Sequence, residues 1–235
     1  MKIDRRQFLG AMSLAGAALA SGHAEADWTS DWMQTTVVAG RFVTAGIRGR
    51  AFREGSSSMV PTLQFGDVML GDQRHAGEAP KRGDIIAFRG ANDTYWLKRV
   101  IGLPGERISC SEWQFSVNGD PIPLAFKAMI SQEMFGEQVT LQTFEEAPKD
   151  AAPYLVSWRE KLDLDQLASS DLAEVTVPAD QIFVAGDCRS DSMDSRISGM
   201  KPVRIADVLA RIVFRERPNA GWLVPESSVE GFAAK

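Results

Sequence analysis

Two histidines and two cysteines in 235 residues cannot assemble a disulfide framework or a Cys/His zinc cluster. Chemistry in this chain must therefore run on hydroxyls, carboxylates, lysines or arginines. Three clusters hold such groups. The first is Ser56-Ser57-Ser58-Met59-Val60-Pro61-Thr62-Leu63, closed by Gly66-Asp67. Three serines in a row read by themselves as a loop. A proline three residues on, with methionine and leucine flanking it, instead describes a constrained loop with apolar sides that can hold one hydroxyl over a hydrophobic cleft. A serine needs a base to become nucleophilic. His23 falls in an N-terminal segment that reads as removable and His75 in a polar, turn-like stretch, so a Ser/His/Asp triad is disfavoured.

The second cluster offers a base. Arg82-Gly83-Asp84 leads the run Ile85-Ile86-Ala87-Phe88, and after a short loop comes Tyr95-Trp96-Leu97-Lys98-Arg99-Val100-Ile101-Gly102-Leu103-Pro104-Gly105-Glu106. Alternate residues on a strand share a face, so Trp96, Lys98 and Val100 point one way while Leu97, Arg99 and Ile101 point the other. Burial between two large apolar side chains disfavours the ammonium form and can bring a lysine several units down from about 10.4, into range for general-base work. Taken alone, the strand fits better a lysine whose stem covers apolar surface while its head reaches water. The third cluster, Gly186-Asp187-Cys188-Arg189-Ser190-Asp191-Ser192-Met193-Asp194-Ser195-Arg196, is dense in short polar side chains that form turns by bonding their own backbone. It lacks the glycine and terminal glutamate of an EF-hand calcium loop at the required offsets. Either it is a satisfied polar loop, or it orients a catalytic group through Ser192 and pairs Asp194 or Asp187 with Arg196.

The elements that would position these groups are mostly strands. Past residue 48, short alternating runs separated by Gly, Pro and Asp describe an all-β body. Strands are expected at Val68–Gly71, Ile85–Arg89, Tyr95–Ile101, Arg107–Ser109, Gln114–Val117, Val139–Phe144, Glu174–Val177, Ile182–Ala185 and Val208–Phe214. Asn118-Gly119-Asp120 reads as a hairpin turn and Leu103-Pro104-Gly105 as a type II turn. The stretch from about Cys110 to Asp180 carries no sharp motif and suits a variable insertion, with a short helix expected over Leu162–Leu172. Composition, 44% hydrophobic and 24% charged with a net charge of −5, is that of a globular chain with no basic footprint for nucleic acid.

The N-terminus reads as an address. Lys2, Arg5 and Arg6 precede an apolar run from Phe8 to Ala20, and Ala24-Glu25-Ala26 supplies a small-x-small cleavage pattern. A helix of that run spans about 20 Å, short of a hydrocarbon core of about 30 Å. Arg5-Arg6-Gln7-Phe8-Leu9 resembles the twin-arginine export signature; a general secretory signal is the alternative, and both place the chain outside a bacterial cytoplasm. From Trp28 to about Ile47 the apolar residues recur at helical spacing, describing an amphipathic helix that lies on a membrane surface or packs on the protein's own core. Arg41 argues against a bilayer span.

Taken in order, the clusters resemble the bacterial type I signal peptidase (leader peptidase) family of Ser/Lys-dyad serine endopeptidases. The likeness rests on Ser56 to Leu63, on the Lys-Arg-Val-Ile-Gly-Leu-Pro-Gly of Lys98 to Gly105, and on the Gly-Asp-x-Arg and Ser-x-Asp-Ser-Arg of the third cluster. It implies Ser58 as nucleophile, Lys98 as general base, Ser56 with Ser58 as oxyanion donors, Ser192 as the group that orients Lys98, and Asp187, Asp194 and Arg196 as structural support. Met59 and Leu97 line substrate pockets or belong to the core. It also implies a mostly β fold, with a catalytic β domain at 48–109 and 181–217 and an inserted smaller β-rich domain at 110–180; the residues themselves add the signal at 1–26, an N-terminal helix at 27–47 and a tail at 218–235. No metal or cofactor is required. The implied substrates are exported precursors with small residues at the first and third positions before the cut. Members of that family normally keep uncleaved N-terminal spanning helices; the removable signal and the Arg41-interrupted stretch of this chain depart from that and describe instead a soluble or peripheral enzyme at the periplasmic face of the inner membrane.

The chain departs from the family pattern at Ser57, where glycine is usual, at Trp96 for tyrosine, and at Cys188 and Asp191 for asparagines. Two other classes compete. One is a neighbouring dyad enzyme, either a repressor-type self-cleaving protease, which the export signal and absent DNA-binding helices disfavour, or a maturation peptidase for conjugation-pilus proteins. The other is a non-catalytic peptide-binding module, against which intact Ser58 and Lys98 weigh. Whether Cys110 pairs with Cys188 stays open.

Overall fold

The computed structural model describes residues 40, 48–90, 94–162, 170–197, 200–217 and 220–224. The export signal at 1–26, the helix expected at 27–47 apart from Gly40, and most of the tail at 218–235 therefore lie outside the described residues. The rest is mostly β. In chain order the strands are β1 (Gly49–Arg53), β2 (Val68–Asp72), β3 (Ile85–Arg89), β4 (Tyr95–Gly102), β5 (Arg107–Ser111), β6 (Gln114–Val117), β7 (Asp120–Pro121), β8 (Leu124–Met134), β9 (Glu137–Glu146), β10 (Tyr154–Arg159), β11 (Leu172–Thr176), β12 (Gln181–Ala185), β13 (Val203–Arg204), β14 (Val208–Arg217) and β15 (Gly221–Trp222).

The main sheet runs β1-β2-β14-β3-β4-β12-β13, with β15 beside β14; β10-β9-β8 and β11-β5-β6-β7 form two smaller sheets. Its central strands are covered on both faces. Ile85 and Ala87 enter one buried cluster with Phe52, Met59, Leu63 and Leu97, while Ile86 and Phe88 enter another with Val100 and Val184. Covering both faces explains why Ile85–Phe88 of β3 and Val100-Ile101 of β4 read as continuous apolar runs rather than alternating ones.

The turns hold as read. Gly105 has φ +81° and the Glu106 amide donates to the Leu103 carbonyl at 3.1 Å. Asn118 and Gly119, at φ 54° and 88°, join β6 to β7. Three longer strands escape the pattern. β1 buries only Phe52, β8 is a largely exposed edge of its sheet, and β10 carries Ser157 amid its apolar residues, so none shows a clean alternation. The helix expected over Leu162–Leu172 is corrected at its end: Leu172 opens β11, paired with Cys110 of β5. That pairing is long-range and overrides local propensity; residues 163–169 lie outside the described residues.

Candidate active site

Ser58 stands on the loop between β1 and β2. The loop is closed at its base by backbone bonds from Glu54 to Asp67 (2.9 Å) and from Gly66 to Glu54 (2.8 Å), and the Asp67 carboxylate accepts from the Gln64 amide at 2.9 Å. Met59 and Leu63, both fully buried, anchor it in the core. These are the apolar sides expected of the cluster: they hold the intervening serines against the sheet.

Lys98 projects from β4 and is 3% exposed. Its Nζ donates to Ser58 Oγ at 2.7 Å and to the Leu97 carbonyl at 3.0 Å, with the Trp96 ring centre 5.5 Å away. Burial is the largest influence on this amine and pushes its pKa below the ordinary lysine value, against the attraction of Asp194, Glu54 and Asp187. The lysine that the strand alone would send to solvent is thus held inside, against a serine hydroxyl. Ser56 Oγ lies 2.9 Å from Ser58 Oγ and accepts from the Ser58 amide at 3.3 Å.

The third cluster forms the loop after β12 and locks the first two together. The Cys188 amide donates to the Ser58 carbonyl at 2.9 Å, fixing the nucleophile's backbone. Asp187 takes a two-pronged bond from Arg99, at 2.7 and 2.6 Å, and one from the Thr62 hydroxyl at 2.5 Å. Asp187 therefore pairs with Arg99, and Arg196 with Asp194, at 2.9 and 2.8 Å. Asp194 also accepts from the Gly186 amide. Burial works against its charge, but the Arg196 cation and these bonds prevail and hold it below the usual carboxylate range.

Ser192 is differently placed from its expected role. Its Oγ is buried and makes no hydrogen bond of normal geometry, to Lys98 included; it faces the Asp194 carboxylate instead, whose charge it helps to hold. It does sit beside the nucleophile's backbone: a side-chain carbon added at Gly186 would meet both Ser192 Oγ and the Ser58 carbonyl oxygen within 2.5 Å. Met59 and Leu97 are buried in one core cluster, next in sequence to Ser58 and Lys98. Cys110 and Cys188 are both free and buried.

Three features went unread in the sequence. Arg99 and Thr62 stand inside the quoted motifs, and an arginine following a lysine on a strand, aimed at the opposite face, was the available signal for the Asp187 pair. Glu54, 4% exposed and bonded to Ser56, gave none; glutamate between arginine and glycine looks like a solvated turn. Arg189 and Glu146, buried against each other, are far apart in the chain.

Comparison with known proteins matches residues 26–216 to the family model "Signal peptidase, peptidase S26". A signal peptidase I of Bacillus caldolyticus is 33% identical over 168 residues, 68% of this chain and 75% of the relative. Signal peptidase I V of Bacillus subtilis is 31% identical over 160 residues, 66% of this chain and 78% of the relative. A signal peptidase I crystal structure from Enterococcus faecalis V583 superposes at a TM-score of 0.31 with 26% identity, over 56% of this chain and 95% of the other, too loosely to compare site geometry.

Proposed function

This chain belongs to the signal peptidase family, peptidase S26, and is a serine endopeptidase of signal-peptide removal; from that premise we propose that it cleaves exported precursors with a Ser58/Lys98 dyad. The observation that carries this reading is the 2.7 Å contact between Lys98 Nζ and Ser58 Oγ at a nearly fully buried amine. As the free amine, Lys98 takes the Ser58 proton while Oγ attacks the scissile carbonyl. The Ser58 amide and the Ser56 hydroxyl hold the oxyanion, one such donor being worth about 3 kcal/mol of barrier. Lys98 then protonates the leaving amine, and a water hydrolyses the ester with the same lysine as base. Asp187, Asp194 and Arg196 act indirectly, by fixing the loop that bonds the Ser58 backbone. Ser192, packed beside Gly186 next to the Ser58 backbone, orients Lys98 once substrate fills the site.

Substrates present small residues at the first and third positions before the cut, as an extended segment on a sheet edge, with Met59 and Leu97 forming the floor of those pockets. The enzyme works at the outer face of the inner membrane. Residues 1–26, with Arg5-Arg6 ahead of a short apolar run and Ala24-Glu25-Ala26 at its end, direct twin-arginine export and are removed; among the described residues no helix is long and apolar enough to cross a membrane. Incubating the purified protein with a panel of precursors, beside its Ser58→Ala variant, tests the activity: specific cleavage lost in the variant supports it. Changing Arg5-Arg6 to Lys-Lys tests the route, since export that survives unimpaired returns the signal to the general pathway.

A further inference from the structure

Glu54 lies four residues before Ser58 and is buried, yet neither the dyad nor the oxyanion assignment uses it. Its Oε1 accepts from the amide and from the hydroxyl of Ser56, each at 2.8 Å. Ser56 Oγ is 2.9 Å from Ser58 Oγ, which accepts from Lys98 Nζ at 2.7 Å. The four side chains form an unbroken file. Burial raises the Glu54 pKa above the ordinary carboxylate value, while the Ser56 bonds and the Lys98 cation favour its charged form. With Glu54 ionised, the polarity follows from counting protons: Ser56 has one hydroxyl proton and gives it to Glu54, so Ser58 gives its own to Ser56, and Lys98 gives one to Ser58. Every donor points toward Glu54.

The other oxygen, Oε2, is buried with no hydrogen-bond partner. An unsatisfied buried carboxylate oxygen calls for a compensating charge or a function. Among the described residues Glu54 has no arginine or lysine in ion-pair contact; the cation acting on it is Lys98, and the like charge facing it is Asp67, which has Arg215 at 3.9 Å. The other charges facing Lys98 are Asp194, Asp187 and Arg196. Each of those two aspartates is neutralised by its own arginine. Asp194 remains the strongest attraction on Lys98, with Glu54 next; Glu54 is the one of the three carboxylates that has no arginine of its own among the described residues.

We propose that Glu54 is a positioning residue of this site: its carboxylate anchors Ser56 beside the nucleophile and, through its charge, sets how readily Lys98 gives up its proton. The inference rests on the Ser58/Lys98 reading. In the resting file the Ser58 proton points to Ser56, away from Lys98, so the reaction begins only when Lys98 is neutral and Ser58 turns toward it. Substrate then competes with Glu54 for the Ser56 proton as charge develops on the oxyanion. A carboxylate near Lys98 favours its ammonium form, which raises the pH at which this turn occurs.

The test is the pH dependence of kcat and KM for precursor cleavage by wild type, Glu54→Gln, Glu54→Leu and Ser58→Ala. Glu54→Leu, which removes the anchor, is expected to lower kcat about tenfold or more with KM within about twofold. Glu54→Gln keeps an acceptor for Ser56 but no charge; it should restore most of the lost kcat and move the acid limb of kcat/KM down by about half a unit or more. A purely structural glutamate would not move that limb. An acid limb unmoved or raised in Glu54→Gln overturns the proposal, even if Glu54→Leu fails to fold, and so does a wild-type kcat in Glu54→Leu. Turnover by Ser58→Ala would bring down the dyad and this inference together; an inactive Ser58→Ala beside insensitive Glu54 variants brings down only the inference.

Discussion

Arg189, on the turn that precedes Ser192, reaches Glu146 at the end of β9, and both side chains of that ion pair are completely buried. The same guanidinium donates to the Gly186 carbonyl at 3.0 Å and lies 4.7 Å from the centre of the Phe115 ring. One arginine thus ties the three-stranded sheet, the four-stranded sheet and the loop that pins the Ser58 backbone.

Breaking such a pair leaves a buried charge without compensation, which costs about 3–5 kcal/mol. Glu146→Ala is expected to lose stability on that scale in denaturant unfolding, and to lose activity although Glu146 forms no hydrogen bond to Ser58 or Lys98. A stability change under about 1 kcal/mol, the scale of an exposed ion pair, would show that the pair is not what holds the loop.

Lys98→Arg should abolish cleavage as completely as Lys98→Ala or Ser58→Ala, with each variant still folded by circular dichroism. Arginine keeps the positive charge but stays protonated in proteins, so it cannot take the serine proton. Measurable turnover in purified Lys98→Arg would remove lysine from the role of base.

Ser56→Ala is expected to lower kcat about 100-fold and to change KM little, because the hydroxyl acts on charge present only in the transition state. Its bonds to Glu54 and Ser58 leave the loop otherwise anchored through Met59 and Leu63. A large rise in KM at constant kcat would make it a substrate-binding residue instead.

Cleavage requires the neutral amine, so kcat/KM should be low at acid pH and rise through the folded-state pKa of Lys98. Burial lowers that pKa from the ordinary 10.5, so the rise should fall below the range of an exposed lysine. Stability follows the same sign. Between the folded and the unfolded pKa the unfolded chain holds a proton the folded one lacks, so this lysine makes folding more favourable as pH rises through that window. An acid limb centred above about 10 would place Lys98 in water.

Burial pushes the Cys110 thiol up to about 11 and the Cys188 thiol up to about 12, and neither is paired. The thiolate is the reactive form. Native protein at pH 8 should therefore resist alkylation at both cysteines, and both should react in denaturant without a reductant. A single disulfide found by mass spectrometry in the native protein would contradict this arrangement.

Much of this molecule was legible in one dimension. The strands Ile85–Arg89 and Gln114–Val117 coincide with their expected bounds because each is an apolar-bearing run between turn formers, and local punctuation is enough to set its ends. Gly105 and Asn118-Gly119 adopt the conformations their residue types demand. Ser58 and Lys98 could be singled out because their motifs are contiguous. Charge partners were another matter. Arg99 and Asp187 are 88 residues apart, and choosing Asp187 for Arg99 and Asp194 for Arg196 requires knowing which strand lies beside which. Burial of Lys98 was decided in the same way: one strand presents it between Trp96 and Val100, but only the packed β1–β2 loop above it shuts out water. Glu54 and Ser192 were settled last, since an orphaned oxygen is a property of everything around it. Periodicity and turn chemistry act over a few residues and can be read along the chain; desolvation and ion pairing act through space, and only the folded contacts determine them.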